Sequence, residues 1–122
     1  IGVGSGIRID VKTTGERKRL SETVEESLLR IAQEALTNVV KHSGATDVTI
    51  NLTFGADSVS LEIKDNGNGL SAEKIAARGD RQFGLLGMSE RAKRLGGRLD
   101  VSGDPGDGTT VRAIIPLEQP VS

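Results

Sequence analysis

Val59-Ser60-Leu61-Glu62-Ile63-Lys64-Asp65-Asn66-Gly67-Asn68-Gly69 is the stretch that decides the fold. Its first half alternates apolar and polar residues, which predicts a strand over 58–64 with one buried face. Asp-Asn-Gly-Asn-Gly then breaks all regular structure. A carboxylate at a strand's end is a fixed acceptor, able to take a charge-assisted hydrogen bond from an amino-bearing heterocycle. Glycines two and four residues later let the backbone pass close to a flat ligand. Taken alone, the run also reads as an ordinary turn rich in Asn, Asp and Gly.

Upstream, Asp47 to Phe54 alternates in the same way, and Gly55-Ala56-Asp57 reads as the hairpin that joins the two strands. Before them, Ser21 with Glu22 and Glu25 behind it opens a helix: a hydroxyl N-cap followed by acids in the first turn. Val24, Leu28, Ile31, Ala35 and Val39 recur every three or four positions, so the helix runs to about His42 and Gly44 ends it. Ile7 to Val11 predicts a short first strand, and Gly15 to Arg19 a charged turn. Downstream, Ser71-Ala72-Glu73-Lys74 could cap a short helix. A firm second helix begins near Leu85 and stops at Gly96-Gly97. Arg98 to Ser102 and Thr109 to Pro116 complete the strands. The expected fold is a two-layer α/β sandwich, a mixed, mostly antiparallel sheet with two or three helices on one face.

Composition narrows the function classes. The chain has 122 residues, 16 Lys+Arg against 17 Asp+Glu, no Cys and one His. That is a single domain, 1–122 with its core at about 20–117. A disulfide scaffold, thiolate catalysis, a Cys-ligated zinc and a His-rich metal centre are all excluded. A net charge of −1 gives no global pull toward nucleic acid or anionic membrane. Two Phe and no Trp or Tyr leave no stacking platform for single strands. No apolar run approaches the ~18 residues of a membrane span. Ten of the 16 glycines lie between Gly67 and Gly108, at short fixed spacings. The first residue is Ile rather than Met, so the chain is expected to be a piece of a longer protein.

Three further groups of residues could carry chemistry. In helical projection Glu34, Asn38, Lys41 and His42 form one stripe along the margin of the buried side, while Glu26, Arg30, Gln33 and Thr37 face solvent. A carboxylate, an amide, an ammonium and an imidazole then point into one space, a set that suits a metal-bound polyphosphate. An amide oxygen is a hard Mg²⁺ ligand, and an ammonium answers phosphate charge. Phe83-Gly84-Leu85-Leu86-Gly87-Met88 opens the second helix with free N–H groups and a positive dipole end aimed at an anion. It is neither a Walker A motif nor a dinucleotide fingerprint, because no Gly-Lys-Ser/Thr and no parallel βαβ unit accompany it. Gly106-Asp107-Gly108-Thr109 is a turn with a hydroxyl at the mouth of a strand. Each group alone also has a bland reading as a polar helix flank, a loop-to-helix junction or a hairpin turn.

Together, and in this order, the four closely resemble the catalytic ATP-binding domain of two-component sensor histidine kinases, of the superfamily shared with gyrase and the large heat-shock chaperones. Gly84-Leu85-Leu86-Gly87-Met88-Ser89-Glu90-Arg91, then Arg94-Leu95-Gly96-Gly97, looks like the subfamily paired with helix-turn-helix response regulators, as nitrate and membrane-fluidity sensors are. The resemblance covers about residues 20–117 and implies the Bergerat ATP-binding fold. It implies that Asn38 binds magnesium, with Glu34 the acid one turn before it. Lys41 and His42 would contact phosphates and ribose, Asp65 would read the adenine amino group, and Thr109 would assist near the same ring. Gly67 and Gly69 would line the adenine pocket, residues 70–83 form a lid, and Gly84, Leu85, Leu86 and Gly87 flank the phosphates. Gln82 departs from the pattern, where relatives often carry glycine.

The resemblance also implies what is missing. The phosphorylated histidine of such kinases lies on a separate dimerisation helix, and nothing here resembles it; His42 already has a nucleotide-facing position. The expected activity is donation of the γ-phosphate of Mg·ATP to a histidine of that dimerisation domain, with Lys41, and Glu34 as the weaker candidate for a base, in catalytic roles. ATP and Mg²⁺ are the expected ligands. The expected partners are that domain and a downstream response regulator, with no direct nucleic acid or membrane contact, in a cytoplasmic domain. The alternatives are an anti-sigma-factor-type serine kinase and a nucleotide-binding module without catalysis.

Overall fold

The computed structural model describes residues 6–67, 85–103 and 108–117, apart from the side chains of His42 and Ser43. The expected helix cap at 71–74, the lid at 70–83, and Gly69, Gly84, Gly106 and Asp107 lie outside those residues.

Strands β1 (Arg8–Thr14), β2 (Asp47–Phe54), β3 (Ser58–Asp65), β4 (Arg98–Gly103) and β5 (Thr109–Pro116) form one sheet in the order β1-β2-β3-β5-β4. Only β1 and β2 run parallel; the other three pairings are antiparallel. Strand β1 continues three residues past the alternation that Ile7 to Val11 shows. As an edge strand it is held by its ladder to β2, up to Thr14↔Thr53, and exposed residues suffice there. The β2–β3 turn is closed by the Gly55 N–H on the Ser58 carbonyl at 2.8 Å, and Lys18 Nζ donates to the carbonyls of Gly55 and Ala56.

Two helices among the described residues, α1 (Glu22–Asn38) and α2 (Leu85–Arg94), cover one face of this sheet. The Ser21 hydroxyl accepts the Val24 N–H at 3.2 Å, the expected N-cap, worth about 1 kcal/mol. At the other end of the fold's second helix, the Gly97 N–H reaches the Ala92 carbonyl at 2.8 Å and the Gly96 N–H reaches Lys93 at 2.9 Å. Gly96 has φ +77°, so this is a left-handed helix stop that only glycine adopts cheaply.

The buried residues fall in stripes. Leu28, Ile31 and Ala35 of α1, and Leu85, Met88 and Ala92 of α2, face Val59, Leu61 and Ile63 of β3 and Val111, Ala113 and Ile115 of β5. A cavity of about 490 Å³, lined among others by Ser21, Val24, Arg94, Leu95, Pro116 and Leu117, marks the end where α1 begins and where α2 and β5 finish. The opposite end therefore collects the last turn of α1, the first turn of α2, the start of β5 and the end of β3. No helix among the described residues is long and apolar enough to cross a membrane.

Candidate functional site

At that opposite end the core changes character. Asn38 follows Leu28, Ile31 and Ala35 on the buried face of α1. Asp65 is the next inward residue after Val59, Leu61 and Ile63, and Thr109 is the one before Val111, Ala113 and Ile115. These three are the buried polar side chains among the described residues, at 8%, 5% and 5% exposure. Buried polar side chains are uncommon in a core and need partners there, so the end of the fold where three apolar stripes all finish in polar residues is the candidate site.

Asp65 is fixed from several sides. Its Oδ1 accepts the Gly67 N–H at 2.8 Å, a turn closed by its own carboxylate. Its strand pairs Val48↔Asp65 on one flank and Lys64↔Thr110 on the other, and one further step of the second register brings Thr109 opposite Asp65. Gly108, at φ +83°, lies so close that a Cβ there would stand 1.9 Å from the Asp65 carbonyl oxygen. The glycine of the Gly108-Thr109 turn is thus required by contact with the Asp65 turn, a link that spacing alone does not reveal.

The α1 stripe divides in the structure. Asn38 is buried, whereas Glu34 and Lys41 are exposed. The helix also changes pitch: Val39–Ser43 forms a π-helical turn before Gly44 ends it. Two adjacent β-branched residues, Val39 and Val40, weaken the α geometry there. An i→i+5 turn rotates less per residue than an α-turn, so the 100° projection applies through Asn38 and not beyond it. The solvent side is as expected, with Arg30 and Glu26 3.9 Å apart and the Thr37 hydroxyl on the Gln33 carbonyl at 2.9 Å.

The first turn of α2 supplies Leu85, buried, and Leu86 and Gly87, exposed. A Cβ at Gly87 would meet nothing within 4 Å. Glycine inside a helix costs about 1 kcal/mol relative to alanine, and no contact among the described residues offsets that cost. The open space lies beside the first turn of α2, where an α-helix leaves N–H groups without intrahelical partners, a setting that suits an anion.

One contributor is absent from the sequence reading. The Asn66 side chain spans from the Asp65 turn to the start of β2: Oδ1 accepts the N–H groups of Thr46 at 3.0 Å and Asp47 at 2.9 Å, and Nδ2 donates to Thr46 Oγ1 at 3.0 Å and Asp47 Oδ2 at 3.2 Å. Its place in an Asp-Asn-Gly turn is the only sequence signal, and any turn shares it.

Among the described residues no cluster of three or more His, Cys, Asp or Glu could hold a metal by itself. Magnesium needs no such cage. It keeps waters and uses one or two protein oxygens together with substrate phosphates, and a buried amide at a helix end meets that demand.

The family profile of the histidine kinase-, DNA gyrase B-, and HSP90-like ATPases matches residues 23–119. The signal transduction histidine-protein kinase/phosphatase DegS of Bacillus subtilis (strain 168) is 36% identical over 113 residues, 91% of this chain and 29% of DegS. The sensor histidine kinase LiaS of the same organism is 36% identical over 109 residues, 89% of this chain and 29% of LiaS. The chain thus spans less than a third of the length of these relatives. Among solved structures, the histidine kinase domain of the Erythrobacter litoralis EL346 blue-light activated histidine kinase superposes with a TM-score of 0.72 at 20% identity, over 95% of this chain and 57% of that one. That likeness concerns the fold.

Proposed function

Since the chain belongs to the family of histidine kinase-, DNA gyrase B- and HSP90-like ATPases, we propose that it is the ATP-binding catalytic module of a two-component sensor histidine kinase. It binds Mg·ATP at the polar end of its core and presents the γ-phosphate to a histidine of a separate dimerisation domain. The observation that carries this reading is the convergence of Asn38, Asp65 and Thr109, from three different elements, where the buried stripes end.

Each side chain has a distinct task. Asp65, held at Oδ1 by the Gly67 N–H, accepts a hydrogen bond from the adenine amino group, with Thr109 beside it. Gly67 and Gly69 line the base pocket. Lys41 and His42 serve phosphates and ribose, Gly84, Leu85, Leu86 and Gly87 flank the phosphates, and the first N–H groups of α2 receive phosphate oxygens. Asn38 would hold Mg²⁺ through its amide oxygen; when bound, the ion offsets charge on the phosphate oxygens during transfer. In the transfer the bond from phosphorus to the leaving oxygen of ADP breaks as the imidazole nitrogen bonds to phosphorus, and the imidazole gives up its proton. Positioning and charge neutralisation are what this step asks of the protein. Glu34, exposed one turn before Asn38, is the weaker candidate for a base; a base beside the accepting histidine fits better. A helix-turn-helix response regulator would take the phosphoryl group onward, in the cytoplasm.

The test is incubation with γ-labelled ATP and Mg²⁺, alone and with a dimerisation domain of such a kinase as a separate chain. The expected result is no stable label on the chain alone, and acid-labile label on a histidine of the added domain. Stable label on His42 of the chain alone, or acid-stable label on serine, contradicts the proposal.

A further inference from the structure

Resting on the reading of Asp65 as the adenine acceptor, we infer that Asn66 is a positioning residue that sets adenine selectivity by holding the Asp65 turn against the segment leading out of α1. An Asn amide has two acceptor sites and two donors, and here all four are used. All four go to two consecutive residues, Thr46 and Asp47, and the Asn66 backbone N–H adds a fifth bond to the Asp47 carbonyl at 3.2 Å. Thr46 is itself tied down, its carbonyl accepting the Arg8 N–H at 2.8 Å and its hydroxyl bonding Asp47 Oδ2 at 2.9 Å.

The location gives this clamp its consequence. Asp65 precedes Asn66 directly and points into the site, while Thr46 follows by two residues the glycine that ends the helix of Asn38 and Lys41. Asn66 therefore joins the turn that reads the base to the exit of the helix that serves metal and phosphates. Gly108 presses on the same turn from the other side, its would-be Cβ 3.2 Å from the Asn66 Cα. These two restraints hold, from opposite sides, the backbone of the turn that carries the Asp65 carboxylate. Removing the Asn66 amide releases one of these restraints, and an acceptor on a looser turn discriminates less between the 6-amino group of adenine and the 6-oxo group of guanine.

The experiment measures ATP and GTP affinities and thermal unfolding for the full chain, Asn66→Ala, Asp47→Ala, Asp47→Asn and Asp65→Asn. Asn66→Ala is expected to weaken ATP about five- to thirtyfold, the worth of one or two net hydrogen bonds, and to narrow the ATP-over-GTP ratio. Asp47→Ala moves the ratio the same way by a smaller factor, and Asp47→Asn, which keeps an oxygen for the Asn66 amide, restores it. Should Asn66→Ala not fold, the Asp47 pair decides. A role in stability alone would lower the unfolding temperature and leave the ratio unchanged at temperatures where the variants are folded; that result overturns the inference. If Asp65→Asn loses ATP while Asn66→Ala and Asp47→Ala keep the ratio, only the positioning role falls. If the unmodified chain does not prefer ATP over GTP, the adenine reading falls and the inference with it.

Discussion

At the scale of single residues, the candidate site is built on core positions filled by polar side chains. Asp65 occupies an inward strand position where Ile63, Leu61 and Val59 precede it, and Asn38 a helix position where Ala35, Ile31 and Leu28 do. The sequence singled out Asp65 as a carboxylate at a strand's end before spaced glycines, and Asn38 as one of a polar stripe on the helix margin; that both continue the buried faces is what the structure adds. Asp65→Asn should weaken ATP and ADP together. Asn can still accept the Gly67 N–H, but its NH₂ then meets the adenine amino group donor to donor. Loss of a charge-assisted hydrogen bond costs about 1.5–3 kcal/mol, or roughly 10- to 150-fold in affinity, which titration calorimetry reads directly. Asn38→Ala should act through the metal instead: Mg·ATP binding falls while metal-free ADP binding stays near wild type, since the proposed base contacts, Asp65 and Thr109, lie on β3 and β5. If both affinities fall together, Asn38 is a structural residue of the helix end. Asn66 was not legible, since its four side-chain bonds depend on which segment the β2–β3 register brings beside it.

At the scale of elements, boundaries set by chemistry were readable and those set by tertiary contacts were not. Ser21 starts α1 and Gly96-Gly97 ends α2 because caps are local. The periodicity placed the helix end at Gly44, as the structure has it, but the change to π pitch over Val39–Ser43 carries no composition signal beyond two adjacent β-branched residues. Strand β1 reaches Thr14 because its neighbour offers a ladder, and alternation fades on an exposed edge. The first turn of α2 yields a test of its own. Gly87 has open space around its Cβ position, so Gly87→Ala should stabilise the fold by about 0.5–1 kcal/mol through helix propensity. If the proposed phosphate site at the helix N-terminus is right, the same methyl intrudes on it and should weaken ATP binding. A thermal melt with a nucleotide titration reads both; a stabilised variant with undiminished ATP affinity would remove this turn from the site.

At the scale of the whole molecule, the fold works as a sheet with helices on one face whose core is apolar along its length and polar at one end. Topology brings the parts together there. Helix α1 runs away from the cavity lined by Ser21 and Leu117, α2 runs toward it, and the short link 44–46 returns the chain from α1 into β2 beside Asp65. The described residues of the four short motifs lie at the ends of α1, β3, α2 and β5, and the sheet order brings those ends to one side of the fold. The measurement that tests the central claim most directly is titration of the unmodified chain with ATP and with GTP under identical Mg²⁺. The account predicts saturable one-to-one binding of ATP, with GTP weaker by at least about tenfold, the value of one lost hydrogen bond to a charged acceptor. Equal affinity for the two nucleotides, or no binding of ATP, would contradict it.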